Sequence, residues 1–189
     1  VVGVEPFLLD RVGPLRASAI TIGLIPCEVR TGFESDEPLA FDIGQGFLPS
    51  TGPAFAGLRA LRDASVGVDY PTNSVATSEL LLAVDLTTSS RLSFVHAAHL
   101  VADGDAAFVE LSVDGGLTWI ELARYDGASH PVDVDDPADW GDGVFTEQDW
   151  VAESIALGAF AGERARLRLR RTSNETGTSI GWWIDEIAL

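Results

Sequence analysis

From residue 79 onward the chain alternates apolar and polar positions with a period of two, broken by Gly, Asp, Ser and Pro, the pattern of strands separated by turns. Over 108–113, Val109, Leu111 and Val113 share one face while Glu110 and Ser112 take the other, as a strand with one wet side requires. Over 164–171, Ala165, Leu167 and Leu169 oppose Arg164, Arg166, Arg168 and Arg170 in the same way. Further strands are predicted at 79–86, 91–101, 118–125, 151–157 and 180–189, which makes roughly seven after residue 78. Many short strands without a long helical period predict an all-β antiparallel β-sandwich.

The earlier part is less regular. Positions 19–25 and 40–47 read as strands, 49–53 as a turn cluster, and 55–61 has a weak helical look. Residues 1–27 read as a leading strand or as the tail of a preceding domain, leaving 28–189 as the module itself within a larger polypeptide. Between Tyr125 and Trp150 lies an acidic segment rich in Asp, Pro and Gly that contains Trp140 and reads as a loop.

Composition narrows the class. With 189 residues, 46% hydrophobic and 22% charged, the chain buries a proper core. Its formal charge of −17 repels a polyanion, so nucleic acid is excluded as a partner and cations are favoured. Apolar stretches are interrupted far short of the ~20 residues a membrane helix needs, so no membrane insertion is expected. All twelve basic residues are Arg and Met is absent, a bias of GC-rich coding or salt adaptation that points to a bacterial source. The single Cys27 forms no intrachain disulfide and reads as a small buried hydrophobe.

Catalytic patterns fail on context. Gly177-Thr178-Ser179-Ile180-Gly181 matches G-x-S-x-G, but it runs into a strand instead of a helix and no His follows it, so it reads as a hairpin turn. His96 and His99 point to opposite faces of one strand and cannot grip one metal. His96 shares parity with Leu92 and Phe94 and reads as a buried core residue. The chain is therefore not expected to be an enzyme.

Ser112-x-Asp114-x-Gly116-x-Thr118-Trp119 resembles the Asp-box hairpin, in which the Asp accepts turn N–H bonds, the glycines supply positive φ and the Trp packs across the hairpin. Around it stand Thr77-Ser78-Glu79-Leu80, Leu92-Ser93-Phe94-Val95-His96, Asp103-Gly104-Asp105, Phe160-Ala161-Gly162 and Gly181-Trp182-Trp183-Ile184-Asp185-Glu186-Ile187. In this order, over roughly 31–189, the series resembles the MAM-like or galactose-binding-like jelly-roll modules of secreted bacterial proteins. The resemblance implies a secreted or cell-surface, noncatalytic module. Such a module binds carbohydrate or anchors an enzyme to its substrate, or else serves as a MAM-type protein-interaction or adhesion domain for an extracellular protein.

In the last strand Trp182 and Ile184 share one parity and Ile187 and Leu189 the other, which predicts a bulge at Asp185 and Glu186. The resemblance implies that an Asp here binds a structural Ca²⁺ together with an early Glu; the matching residues are Asp185 and Glu34, with Asp36 near enough in sequence to join. Candidate ligand-binding residues are Tyr125 and Trp140 beside the acidic segment, for stacking on a sugar, and Arg166 and Arg168 of the arginine stripe. The stripe reads as cross-strand pairing with acidic residues or as a cradle for a carboxylated or sulfated glycan.

Overall fold

The computed structural model describes residues 29–43, 45–64, 68–101, 104–126 and 150–189. They form two antiparallel sheets packed face to face, the sandwich expected. The strands are β1 (Arg30–Thr31), β2 (Leu48–Ser50), β3 (Ala60–Arg62), β4 (Val75–Glu79), β5 (Val84–Asp85), β6 (Arg91–His99), β7 (Ala106–Ser112), β8 (Ile120–Asp126), β9 (Val151–Ala156), β10 (Arg164–Thr172) and β11 (Gly181–Ala188). The first sheet runs β2-β3-β11-β6-β9 with β1 also on β11; the second runs β4-β10-β7-β8 with β5 also on β10.

The core lies between the sheets and follows the predicted parity: Ala165, Leu167 and Leu169 of β10 meet Leu92, Phe94, Trp182 and Ile184 of the other sheet, all buried. His96 is fully buried, as expected, and its Nδ1 accepts from Trp182 Nε1 at 3.0 Å. The next residue along, Trp183, lies on the outer face of its sheet and is still buried. The Arg62 guanidinium sits 4.4 Å from its ring centroid, and a Cβ on Gly52 would stand 2.6 Å from its ring edge, so the backbone at Gly52 packs directly against the indole.

Several local expectations fail for identifiable reasons. The helical look of 55–61 is overturned: Gly57 has φ 67° and the chain enters β3 at Ala60. The strand at 40–47 reduces to isolated bridges from Phe41 to Leu80 and from Gln45 to Thr77, and that at 79–86 is divided between β4 and β5. Gly177–Gly181 is no hairpin turn, because β10 and β11 belong to different sheets; it crosses between them. Positions 1–27, the strand at 19–25, Cys27 and most of the acidic segment lie outside the described residues. Among the described residues no helix is long and apolar enough to cross a membrane.

Candidate functional site

The outer face of the second sheet carries the arginine stripe. The stripe pairs across strands with acidic residues: Arg166 Nη2 reaches Glu79 at 2.6 Å, and Arg168 and Arg170 each reach Glu110 at 2.7 Å. Register causes this, since Arg168 lies directly between Glu79 on β4 and Glu110 on β7. The arginines lie across β7, so Glu110 and Ser112, expected on the wet side, are buried, and every residue of β7 is buried on both faces. Burial works to raise the Glu110 carboxyl, but hydrogen bonds from Arg170 and Arg168 hold it below its ordinary value.

Aromatic rings interleave with these cations. Arg168 stands 4.0 Å from the Trp119 centroid, and Phe108 lies between Arg170 at 4.0 Å and Arg124 at 5.5 Å. Trp119 is thus held by the stripe as well as by its hairpin. The Asp-box forms as predicted: Asp114 accepts from Thr118 N and Oγ1 and from Ser112 Oγ, and Gly116 N donates to Ser112 Oγ. Arg166 Nη1 donates to the Gly115 carbonyl at 3.0 Å and ties the turn to the stripe.

Tyr125 requires a correction. It is buried and packs on His96 (4.2 Å), Phe94 (6.5 Å) and Trp182 (6.0 Å), a core position and not a sugar platform. The cause is a bulge in β8: Glu110 pairs with Glu121 but Val109 with Ala123, so the extra Leu122 reverses the parity and turns Tyr125 inward opposite Ala107. Trp140 lies outside the described residues.

The predicted bulge in β11 is present, with Asp185 opposite Val95, Ala188 opposite Ser93, and Glu186 at φ 51°. Here β11 changes partner along one edge, from β3 at Trp183 and Ile184 to β1 at Ile187 and Ala188. The gap is closed by loop 55–59. Asp185 Oδ2 accepts from Phe55 N and Ala56 N at 3.0 Å, and Glu34 Oε1 accepts from Leu58 N at 2.7 Å and Arg59 N at 2.9 Å. Glu34 and Asp185 therefore converge on one loop, as the sandwich closure predicts.

Asp36 does not join them; it is exposed on the turn after Glu34. Nearer are Glu37 and Glu186, whose carboxylate oxygens, with that of Asp185, lie within 3.9 Å of where a Cβ on Gly32 would stand. Arg59, whose N–H Glu34 accepts, lines the same groove as Glu34 and Glu37. Burial pushes the Asp185 carboxyl up to about 6; N–H bonds from Ala56 and Glu186 lower it, and the Glu186 charge adds to the rise. These hard oxygens suit a cation such as Ca²⁺ chemically, although among the described residues no three His, Cys, Asp or Glu side chains are yet arranged to hold one.

No family model and no curated protein matches the chain. Solved structures do. The K1 adhesin domain of Lys-gingipain from Porphyromonas gingivalis W83 shares 16% identity at TM-score 0.54, over 85% of this chain and 96% of that one. A carbohydrate-binding module of Caldicellulosiruptor saccharolyticus, solved with mannohexaose, shares 14% identity at TM-score 0.53, over 85% and 95%. A glycoside hydrolase domain, Endo-D from Streptococcus pneumoniae R6, shares 13% identity at TM-score 0.48, and this chain spans 21% of its length. At these identities the likeness is one of fold: the chain has the β-sandwich jelly roll of adhesin domains and carbohydrate-binding modules, as the galactose-binding-like resemblance implied.

Proposed function

We propose that the chain is a noncatalytic carbohydrate-binding module of a larger secreted protein, holding glycan on the outer face of the second sheet. The observation that carries the reading is the ladder of Arg166, Arg168 and Arg170, clamped in place by Glu79, Glu110 and Trp119. Groups held this rigidly lose little entropy on binding a ligand. Fold relatives solved as carbohydrate-binding modules support it. The test is affinity electrophoresis through gels carrying neutral and acidic polysaccharides, with reducing-sugar release measured in parallel. Retardation without release is expected, and free migration in every gel overturns the reading.

A protein-binding role is the second reading. It is favoured by a groove of about 450 Å³ in which Leu39, Ile43, Leu48 and Pro49 face the polar side chains of Glu34, Glu37 and Arg59, and by an adhesin domain among the fold relatives.

A structural Ca²⁺ belongs to the first reading. The residues that would hold it are Glu34 and Asp185, which converge on loop 55–59, with Glu37 and Glu186 beside Asp185, and the ion would offset the charge of these carboxylates. A cation bound by the folded state alone at a hundred times its Kd adds ~2.7 kcal/mol. Melting in millimolar Ca²⁺ is therefore expected about 5–10 °C above melting in chelator. Equal melting temperatures remove the ion.

A further inference from the structure

The class of glycan can be argued from the unused hydrogen-bonding capacity of the same face, an argument that rests on the carbohydrate reading above. A guanidinium has five N–H donors and no acceptor, whereas a carboxylate only accepts. Glu110 is saturated: Oε1 takes Arg170 Nη2 at 2.7 Å and Nε at 3.1 Å, and Oε2 takes Arg168 Nε at 2.7 Å with Arg170 Nε at 3.1 Å. The Nη1 groups of Arg168 and Arg170 make no hydrogen bond among the described residues. Two cations share one anion, so the centre of the face holds Arg166, Arg168 and Arg170 against Glu79 and Glu110. On the flanking strand, Arg124 is paired with Asp126 at 3.5 Å, and Glu121 is exposed opposite Glu110.

The aromatic rings of this face are engaged by guanidinium: Arg168 stands 4.0 Å from the Trp119 centroid, and Phe108 is buried against Arg170 and Arg124. A neutral sugar stacking on these rings would compete with the cations already held there. Neutral hydroxyls also need acceptors; Glu110 has none left, and the exposed carboxylate of Glu121 lies on the flanking strand, not among the ladder arginines. A carboxylate or sulfate needs donors alone, and charge-assisted bonds to Arg are the strong ones. We infer that the β10 ladder binds the anionic group of an acidic sugar, a uronate carboxylate or a sulfate ester, through the unused donors of Arg168 and Arg170. A long polyanion would lay its outlying charges over the rest of a surface of net charge −17, where acidic groups within a Debye length of ~8 Å repel them at physiological salt, so short acidic oligosaccharides are the ligand expected.

The test is calorimetric titration at physiological salt with tetragalacturonate, its neutral methyl ester, a sulfated galactan oligosaccharide and a neutral galactan oligosaccharide. Tetragalacturonate or the sulfated oligosaccharide is expected to bind at least about tenfold tighter than its neutral counterpart, the worth of one charge-assisted bond; which of them does so identifies the anion. Arg168→Gln and Arg170→Gln should each weaken that binding by about tenfold. Glu121→Gln, which removes an exposed anion opposite Glu110 without touching the carboxylates that hold the ladder, should tighten it severalfold, a sign that structural damage does not produce. Melting and near-UV dichroism establish that each variant is folded. Should the Arg variants fail to fold, Glu121→Gln with the ester comparison decides. Equal binding of acid and ester, or loss of affinity in Glu121→Gln, overturns the inference. Binding of neutral oligosaccharides alone overturns it and leaves the carbohydrate reading standing, whereas no binding to any glycan overturns both.

Discussion

Arg171→Leu is expected to destabilise the protein by about 3–5 kcal/mol, the cost of leaving a buried charge without its partner. Arg171 is the inward member of an Arg doublet, 1% exposed, and its Nε meets Asp63 Oδ2 at 2.7 Å while Nη1 donates to Ser74 Oγ at 2.7 Å. Its guanidinium also lies 4.4 Å from the Tyr70 ring centroid, and the Tyr70 hydroxyl donates to buried Asp105 at 2.6 Å. The network joins β3 to β10 across the sandwich. Without Arg171, Asp63 keeps the N–H of Trp182, at 2.8 Å, as a hydrogen-bond donor. Burial already raises the Asp63 carboxyl above its ordinary value, against the opposing pull of Arg171. A raised folded-state value means that stability falls as pH rises, so the variant should recover on acidification as Asp63 takes up a proton. Denaturant unfolding measures both effects. A loss below about 1 kcal/mol, as for an exposed pair, would show that the clasp is not buried in solution. Adding Asp63→Asn to Arg171→Leu should restore part of the loss, which a double-mutant cycle reads directly.

Trp182→Ala should cost a similar ~3–5 kcal/mol for a different reason, a cavity. Trp182 is 0% exposed, packs edge-on against Phe47 at 6.1 Å and contacts Tyr125, and it supplies the hydrogen bond to His96. Trp182→Phe separates the two contributions: it keeps most of the ring volume but removes the donor from a buried imidazole nitrogen. The expected cost is ~1–3 kcal/mol, measured by denaturant unfolding. If Trp182→Phe costs as much as Trp182→Ala, the hydrogen bond and not the packing holds this part of the core.

The alternation in β6, β7, β10 and β11 was legible because one buried face imposes period two on any strand. The bulge at Asp185 was legible for the same reason, since two apolar pairs of opposite parity require an extra residue between them. Tyr125 was not, because the bulge that turns it inward falls between Leu122 and Ala123, both apolar and both partly buried, so parity carries no mark of it. The Asp63–Arg171 pair spans 108 residues, and pattern along a chain does not report such a partner. One signal was present: Arg171 shares the parity of Leu167 and Leu169, and an Arg on a core face needs a buried acid. At the candidate site, the stripe's place on the outer face and its pairing with acids were readable. The sharing of Glu110 and the contact of Arg168 with Trp119 depend on register between β7 and β10, which is fixed by the whole sheet.

The position of β11 has a consequence for biosynthesis. Of the described strands it is made last, yet it lies in the middle of the first sheet, holding β1, β3 and β6 at once. Until residues 181–188 leave the ribosome, the β2–β3 pair and the β6–β9 pair are separate fragments with unsatisfied edges. The nascent chain must therefore wait for residues 181–188 before the first sheet can form, and a translational pause ahead of that segment would lengthen exposure to misassociation.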